Sequence, residues 1–592
     1  MIKSLIIGEL NNIKFENNEK LIVIENYYKD FYQKKNIKND ISIVKPFLLN
    51  KSKKILTFKK CENIYSNILK DISKSLNKLH KVNFNTRSWE IIFGNWLRFF
   101  VWACFERYKN LEFILRQNNI KKIYFLRDKK YSSTANQESD IYYSSIDDKW
   151  NSNLYFEIFD YLAINKNKDI KVLTQNSYSN SEEGFLFKKK DNFKENFYKK
   201  FLKFFSIFQS ENDGIILTTY LSPIYEKIFE VLFFQAPRHW DFEKIVFKKF
   251  DSLLRSKIDI SRGKKKNIEN FIRKNVQNFL PKSLIESFSN ILEMSKKAGF
   301  PKNPKFIFTS NDFEGNEIFK FYTANLLMKK KIPYIIGQHG NTYFTDLRVD
   351  KYRSEFNFSD KFFTYGYSKS TKFKGLFNFS SYGRKKYKSQ KKKKLLIIVS
   401  PLEFRAFPFS NTTQIELGFT NVLDILQSVN KKISKNTTIR LGNSYYSKRG
   451  KYYLSKYFKK KSLNIDMGKD TFVKARFNSR LCFFNYDSSG ILENLALNFP
   501  TVCLWDNIED NISDKFFFKY KFLIKAKILF LDKNDLIDHL DHIWNNVDNW
   551  WLSENTQKYV NKFNEKFNIQ GDYTSLFKLK KNCLENYEKN IL

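Results

Sequence analysis

Leu481-Cys-Phe-Phe-Asn-Tyr-Asp-Ser-Ser-Gly-Ile-Leu-Glu-Asn-Leu-Ala-Leu-Asn-Phe-Pro-Thr-Val-Cys-Leu-Trp505 reads as strand, turn, helix and strand. Leu481, Cys482 and Phe483 form an apolar run without helical spacing, which suits a buried parallel strand. Ile491, Leu492, Leu495 and Leu497 return at helical spacing, and Pro500 precedes a second apolar run, Val502 to Trp505. Between them, Asp487-Ser-Ser-Gly490 places two hydroxyls and several free backbone N–H groups at a helix start. Such a terminus carries partial positive charge and four donors without internal partners, so it binds phosphate readily. Ser and Asp are also preferred N-caps, and plain capping explains the turn equally well.

A chain of 592 residues exceeds what one core supports, so two or more domains are expected. The formal charge of +42 would ordinarily point to nucleic acid or an anionic membrane. Basic residues are spread along the whole chain, however, and no zinc-finger spacing or RNP-type motif appears. A basic nucleic-acid-binding protein is therefore the rival reading, while a positive face towards anionic lipid fits the composition. The five cysteines are far apart and show no CxxC pairing, which suits a reducing compartment. No apolar run is long enough to span a bilayer, and Trp89 to Phe105 is broken by Asn95 and Arg98. The expected location is cytoplasmic, or peripheral on the inner membrane face.

Strand-like and helix-like segments alternate, which predicts parallel α/β sheets. Strands are expected at Leu5–Ile7, Leu21–Ile24, Ile123–Leu126, Ile170–Leu173 and Ile215–Thr219, with helices at Ile64–Leu79, Trp89–Leu115, Tyr155–Leu162 and Phe197–Phe208. Phe306–Asn311, a helix over Asn316–Lys330, and Pro333–Gly340 make a clear β-α-β unit. Gly383–Lys394 is a lysine-dense linker, after which strand Leu395–Val399 opens a second α/β domain. The predicted layout is an N-terminal α/β domain with helical insertions over 1–383, a linker over 384–394, a second α/β domain over 395–536, and a helical tail over 537–592.

Ligands in such sheets sit at the carboxyl ends of strands. The first domain offers Asn311, Asp312 and Glu314 after one strand and Gln338, His339 and Gly340 after the next. His339 is the first choice of base, with Asp312, Glu314 and Glu355 as acidic candidates. The second domain offers Ser488, Ser489 and Gly490, with Glu493 one turn on for ribose hydroxyls or simply as a first-turn acid. Arg440, Arg476 and Arg480 are anion partners or surface charges. One domain holding an activated phosphate ester, and the other a base beside an acceptor hydroxyl, describes group transfer. No GxGxxG, GxxxxGK[ST] or GxSxG motif supports another chemistry. His539 and His542 share a helix face but lack a third ligand, so a solvated surface is expected there and no metal site.

Asn485-Tyr-Asp-Ser-Ser-Gly490, followed by Leu492-Glu493 and Pro500, resembles the donor-side motif of GT-B transferases that build surface polysaccharide. Gln338-His-Gly340 after Pro333, and Ser359-Asp360 leading to Tyr365-Gly366, are similar to the acceptor-side half of those enzymes. More closely, the ordered set Arg87-Ser-Trp89, Gly94-Asn-Trp96, Thr309-Ser-Asn311 and Gln-His-Gly resembles a family of surface-carbohydrate transferases, from Asn77 to Val502. The resemblance implies two Rossmann-like domains facing a cleft and metal-independent transfer from a nucleotide-sugar to a saccharide or lipid-linked acceptor. It implies no cofactor and no specific nucleic acid; Ser488, Ser489, Gly490, Glu493 and Arg440 would hold the donor. The chain departs from that pattern at Arg440-Leu-Gly-Asn443, where a His-Pro pair is common, and at Asn341-Thr342, where glycines are.

Overall fold

The computed structural model describes residues 2–11, 13–44, 50–127, 134–163, 170–175, 208–263, 267–347, 352–368, 370–388, 394–400, 412–442, 448–458, 463–468, 470–505, 512 and 514–585. Apart from Phe208, the helix expected over Phe197–Phe208 lies outside them, as do Asn443 and part of the lysine linker. The chain divides into two compact units. The first comprises Met1–Lys189, Glu243–Ser295 and Ala406–Thr412; the second comprises Lys190–Phe242, Lys296–Arg405 and Thr413–Leu592.

The first unit carries a parallel sheet of five strands, β1 (Ile2–Ile7), β2 (Glu19–Val23), β3 (Ile41–Ile43), β4 (Ile120–Leu126) and β5 (Lys171–Gln175), in the order β3-β2-β1-β4-β5. Two long helices, α1 (Lys51–His80) and α2 (Thr86–Gln117), begin where Asn50 and Asn85 accept backbone N–H bonds of 3.0 and 2.8 Å. Helix α2 buries Trp89, Trp96 and Trp102, so its tryptophans are core, as their helical spacing predicts. Its buried Arg98 guanidinium is satisfied by Glu62 of α1 at 2.9–3.0 Å and stacks on Tyr65.

The second unit holds two further parallel sheets. One runs β10-β9-β8-β7-β6, from β6 (Ile215–Leu217), β7 (Ile307–Thr309), β8 (Tyr334–Gly337), β9 (Lys361–Thr364) and β10 (Phe373–Gly375). The other runs β13-β12-β11-β14-β15-β16, from β11 (Leu395–Ile398), β12 (Thr437–Arg440), β13 (Asn464–Asp466), β14 (Leu481–Phe484), β15 (Thr501–Leu504) and β16 (Leu529–Phe530). Strands β7, β8, β11, β14 and β15 are buried along their whole length, which is why they read as continuous apolar runs. The second unit is thus an α/β body with two Rossmann-like parallel sheets. The stretch 1–383, expected as a single domain, holds both the β1–β5 and the β6–β10 sheets.

Helices of the second unit used below are α3 (Pro223–Val231), α4 (Glu317–Lys329), α5 (Ser489–Ala496), α6 (Asp514–Lys525), α7 (Glu554–Phe567) and α8 (Ser575–Leu584). One apolar core takes Phe308, Ile335 and Phe363 from the first of these sheets and Leu396, Phe484 and Cys503 from the second. The C-terminal helices clip the two together. Asn568, after α7, donates to Leu492 O at 2.8 Å and accepts from Asn378 at 2.9 Å, and Lys361 on β9 donates to Asn582 O on α8 at 2.7 Å. Among the described residues, no helix is long and apolar enough to cross a membrane.

Candidate active site

The site grows from the carboxyl ends of β6, β7 and β8. Strand β8 ends at Gly337, where a Cβ would lie 2.3 Å from the Ser310 hydroxyl, so only glycine lets these strand exits approach. Gln338 is buried and committed to the backbone. Its Oε1 accepts from Tyr365 N at 3.0 Å and its Nε2 donates to Gly340 O at 2.9 Å. That amide fixes the turn, and the turn presents His339.

The His339 ring packs on Tyr220, 5.7 Å between centroids, and near Phe313 at 6.0 Å. Its Nδ1 lies 2.9 Å from the Tyr343 hydroxyl and its Nε2 3.9 Å from Glu314 Oε1. Burial, then the nearby Arg353, pushes the imidazole down to about 3, against a bond to the Ser310 backbone. It is therefore neutral at physiological pH, and the 3.9 Å approach is not an ion pair. Burial and Glu355 together push Glu314 up to about 7, against the pull of Arg353 and Lys320. Behind the ring, Arg353 lies 3.9 Å above Tyr343 and bonds the buried Glu355 at 3.0 Å.

Asp312 accepts from Asn316 at 3.0 Å through Oδ1, while its buried Oδ2 has no hydrogen-bond partner among the described residues. Burial raises this carboxyl too. Asn311 precedes the short helix Asp312–Gly315, with its backbone N–H bonded to Thr309 Oγ1 at 3.2 Å. The β6 exit is strained: Thr218 and Tyr220 have φ of +48° and +69°, in the left-handed region that non-glycine residues rarely occupy.

In the other sheet, strand order reverses between β11 and β14, the position at which open α/β sheets bind ligands. Asn485, leaving β14, accepts from Ser400 N at the β11 exit at 3.0 Å. Ser488 is the N-cap of α5, its hydroxyl accepting from Gly490 N at 3.1 Å. The capping role read from the sequence is thus present, at the switch point. Glu493 is engaged by Arg384 at 3.1 Å and Arg476 at 3.6 Å, and burial raises its carboxyl against both guanidiniums. Arg476 is buried and bonds Asn494 at 3.1 Å, while Arg480 lies over Trp544. Arg440 points its guanidinium at Asp466 and the Asp470 carbonyl, away from the seryl turn.

Two contacts missed in the sequence join the halves. Thr345 Oγ1 donates to Asp487 at 2.7 Å, and Tyr520 on α6 donates to Asn341 at 2.9 Å. The loop after β8 therefore reaches the seryl turn directly. The Tyr220 phenol lies within electrostatic reach of both sheets. Burial pushes it up to about 12, with Glu314, Glu493 and Asp312 adding to the rise. Tyr343 could have been found, since it stands four residues after His339 on a short helix, Thr342–Thr345. Tyr220 and Tyr520 are too distant in sequence to carry a signal.

Among the described residues, no group of three or more His, Cys, Asp or Glu is placed to hold a metal ion. His539 is not solvated, as had been expected, but buried between Phe530 and Trp550, because its helix packs that face inward.

Residues 4–580 match the LIC12162 family transferase. The chain belongs to that transferase family. No curated protein matches it. Among solved structures it is similar to S. aureus MnaA with UDP, at 12% identity and a TM-score of 0.33, covering 52% of this chain and 79% of that one. It is also similar to Anabaena HepE in complex with UDP and glucose, at 9% identity and a TM-score of 0.32, covering 54% and 89%. WaaG, a glycosyltransferase involved in lipopolysaccharide biosynthesis, is similar at 10% identity and a TM-score of 0.27, covering 50% and 95%. At such scores the fold rests on this chain's own strand order.

Proposed function

We propose that this transferase moves a glycosyl group from a nucleotide-activated sugar to a hydroxyl of a saccharide or lipid-linked acceptor, in the making of cell-surface polysaccharide or lipopolysaccharide. One observation carries the reading. The loop bearing His339 is bonded through Thr345 to Asp487, so an anion-ready helix start and a neutral imidazole beside a carboxyl share one site. The seryl turn, Ser488 to Gly490, takes the donor phosphate through the Ser489 N–H and hydroxyl while the Ser488 hydroxyl caps Gly490 N, and the α5 dipole favours the charge left on the departing nucleotide. His339 Nε2 takes the acceptor hydroxyl's proton as that oxygen attacks the anomeric carbon, and ionised Glu314 stabilises the imidazolium. The Tyr343 hydroxyl at Nδ1 holds the ring in place. Asp312 and Asn311 border the acceptor side; Gln338 and Glu355 support it from within.

The transfer needs no metal ion or cofactor on this reading, and no specific nucleic acid is a partner. The protein works at an anionic membrane surface on the cytoplasmic side without spanning it. Nucleotide release with a panel of activated sugars tests the proposal. Release that persists unchanged both in Ser488→Ala with Ser489→Ala and in His339→Ala would remove the site assignment; no release with any donor and acceptor would remove the activity.

A further inference from the structure

Among the described residues, helix α3 has an outward face that none of them covers. Ile224, Ile228 and Val231 recur at spacings of four and three, so they share one stripe, and they are 65%, 42% and 53% exposed. Phe234 continues the stripe past the helix end and is 95% exposed. Its φ of +58° is a left-handed conformation that a phenylalanine rarely adopts. The fold thus holds the ring outward at a backbone cost. A ridge of this kind on a soluble surface marks an interaction site.

Charge decides what the ridge meets. Both acids of α3 turn inward. Glu226 accepts from Thr219 N and Oγ1 at 2.9 and 2.8 Å, and buried Glu230 accepts from Arg238 N at 3.0 Å and from Lys227 at 3.0 Å. The neighbouring helix α8 is tied to the ridge by Lys580. That lysine donates to Leu232 O at 2.6 Å and lies 5.0 Å from the Phe234 ring. Outward from α8 stand Phe577, Lys578 and Lys581, and the helix contains no acidic residue. An apolar stripe flanked by cations, on a helix whose own two acids are engaged by neighbouring groups, matches an anionic lipid surface, where the stripe enters the acyl boundary and the lysines meet headgroups. A second copy of this chain is disfavoured, because each copy carries +42.

We propose that the α3 ridge, with Phe234 and the Lys578–Lys581 edge of α8, is the surface by which this protein lies on an anionic membrane. The inference rests on the membrane-surface part of the reading above and names the face that makes the contact. The experiment is co-sedimentation of the full chain with vesicles of phosphatidylcholine alone and of equal parts phosphatidylcholine and phosphatidylglycerol, with gel filtration alongside. Wild type should pellet with the anionic vesicles and much less with the neutral ones. Ile224→Ser with Ile228→Ser, and separately Phe234→Asn, which suits a left-handed position, should each weaken binding about tenfold. Both should keep the wild-type Tm and the transfer rate on a water-soluble acceptor. Lys578→Glu with Lys581→Glu should erase the preference for anionic vesicles. Wild-type binding that the ridge variants leave intact overturns the ridge and spares the membrane reading. Wild type that ignores anionic vesicles overturns both, and a wild-type oligomer dissolved by the variants makes the ridge a protein interface instead.

Discussion

Glu314→Gln should make the protein more stable and less active at once. The carboxyl sits at about 7 in the folded chain against 4.5 in a flexible one, held there by burial and by Glu355. Between those values the unfolded chain has released a proton that the folded chain still holds. Folding stability therefore falls as pH rises from about 4.5 to about 7, and the penalty persists above. At about 1.4 kcal/mol per pH unit the full penalty would be about 3 kcal/mol. The side chain is 27% exposed, so solvent screening leaves about 1–2 kcal/mol. Glutamine keeps the shape and carries no charge, so the variant recovers this at about pH 8 and almost none of it at about pH 4.5. In a unit of this size the gain is a Tm rise of about 1–3 °C. Thermal unfolding of wild type and variant at both pH values measures it. A Tm difference that is the same at both, or a variant less stable at pH 8, would refute the account of Glu314.

Three further outcomes follow from the same geometry. His339→Ala should lower kcat by about 10²–10⁴-fold with little change in Tm; in the wild type the acid limb of kcat/KM should fall near pH 7 and vanish in Glu314→Gln, since His339 stays neutral down to about 3. Glu493→Ala should cost about 2–4 kcal/mol, read as a lower Tm, because it leaves the buried Arg476 guanidinium without its carboxylate. Nucleotide release should be unchanged by EDTA, and a loss of rate restored by added magnesium would contradict metal-free transfer.

The parts of the fold legible in the sequence are those whose burial is total. Strands β7, β8, β11, β14 and β15 announce themselves because both faces are covered and their residues are almost all apolar. Strands β3, β10, β13 and β16 were not read; each is a sheet edge of two or three residues, too short to show a period. The division of 1–383 into two sheets was also hidden. Parallel strands look alike whichever sheet they join, and pairing is a long-range choice. In the site, the turn chemistry was visible at Ser488 and His339, yet charge states were not. Arg440 and Glu493 illustrate the limit: each could be read as a ligand partner or as an ordinary surface or first-turn charge, and each is held by partners between 17 and 109 residues away in sequence. Gln338 was placed among the residues offered to a ligand after β8, but its amide bonds Tyr365 N and Gly340 O and so fixes the turn at the β8 exit.

The two halves of the site are electrostatic opposites in a way that bears on the chemistry. Around α5, the helix start and two guanidiniums favour negative charge, and Glu493 offsets the guanidiniums. Around β7 and β8, burial removes charge. The imidazole is neutral, Glu314 is half protonated near pH 7, and Asp312 is raised as well. Two fully ionised acids here would repel an anionic donor seated against Asp487; raising both carboxyls lessens that repulsion, and Glu314 can still ionise as a proton arrives on His339. The strain at Thr218 and Tyr220 belongs to the same arrangement, since Tyr220 closes over the imidazole and helps keep it dry. A nucleic-acid-binding surface would need the reverse: exposed cations with aromatics beside them, open to solvent. Phe313 and Tyr343 are buried against His339 and Tyr220 stacks on it half-covered, an arrangement that serves a reacting centre and not a strand of bases.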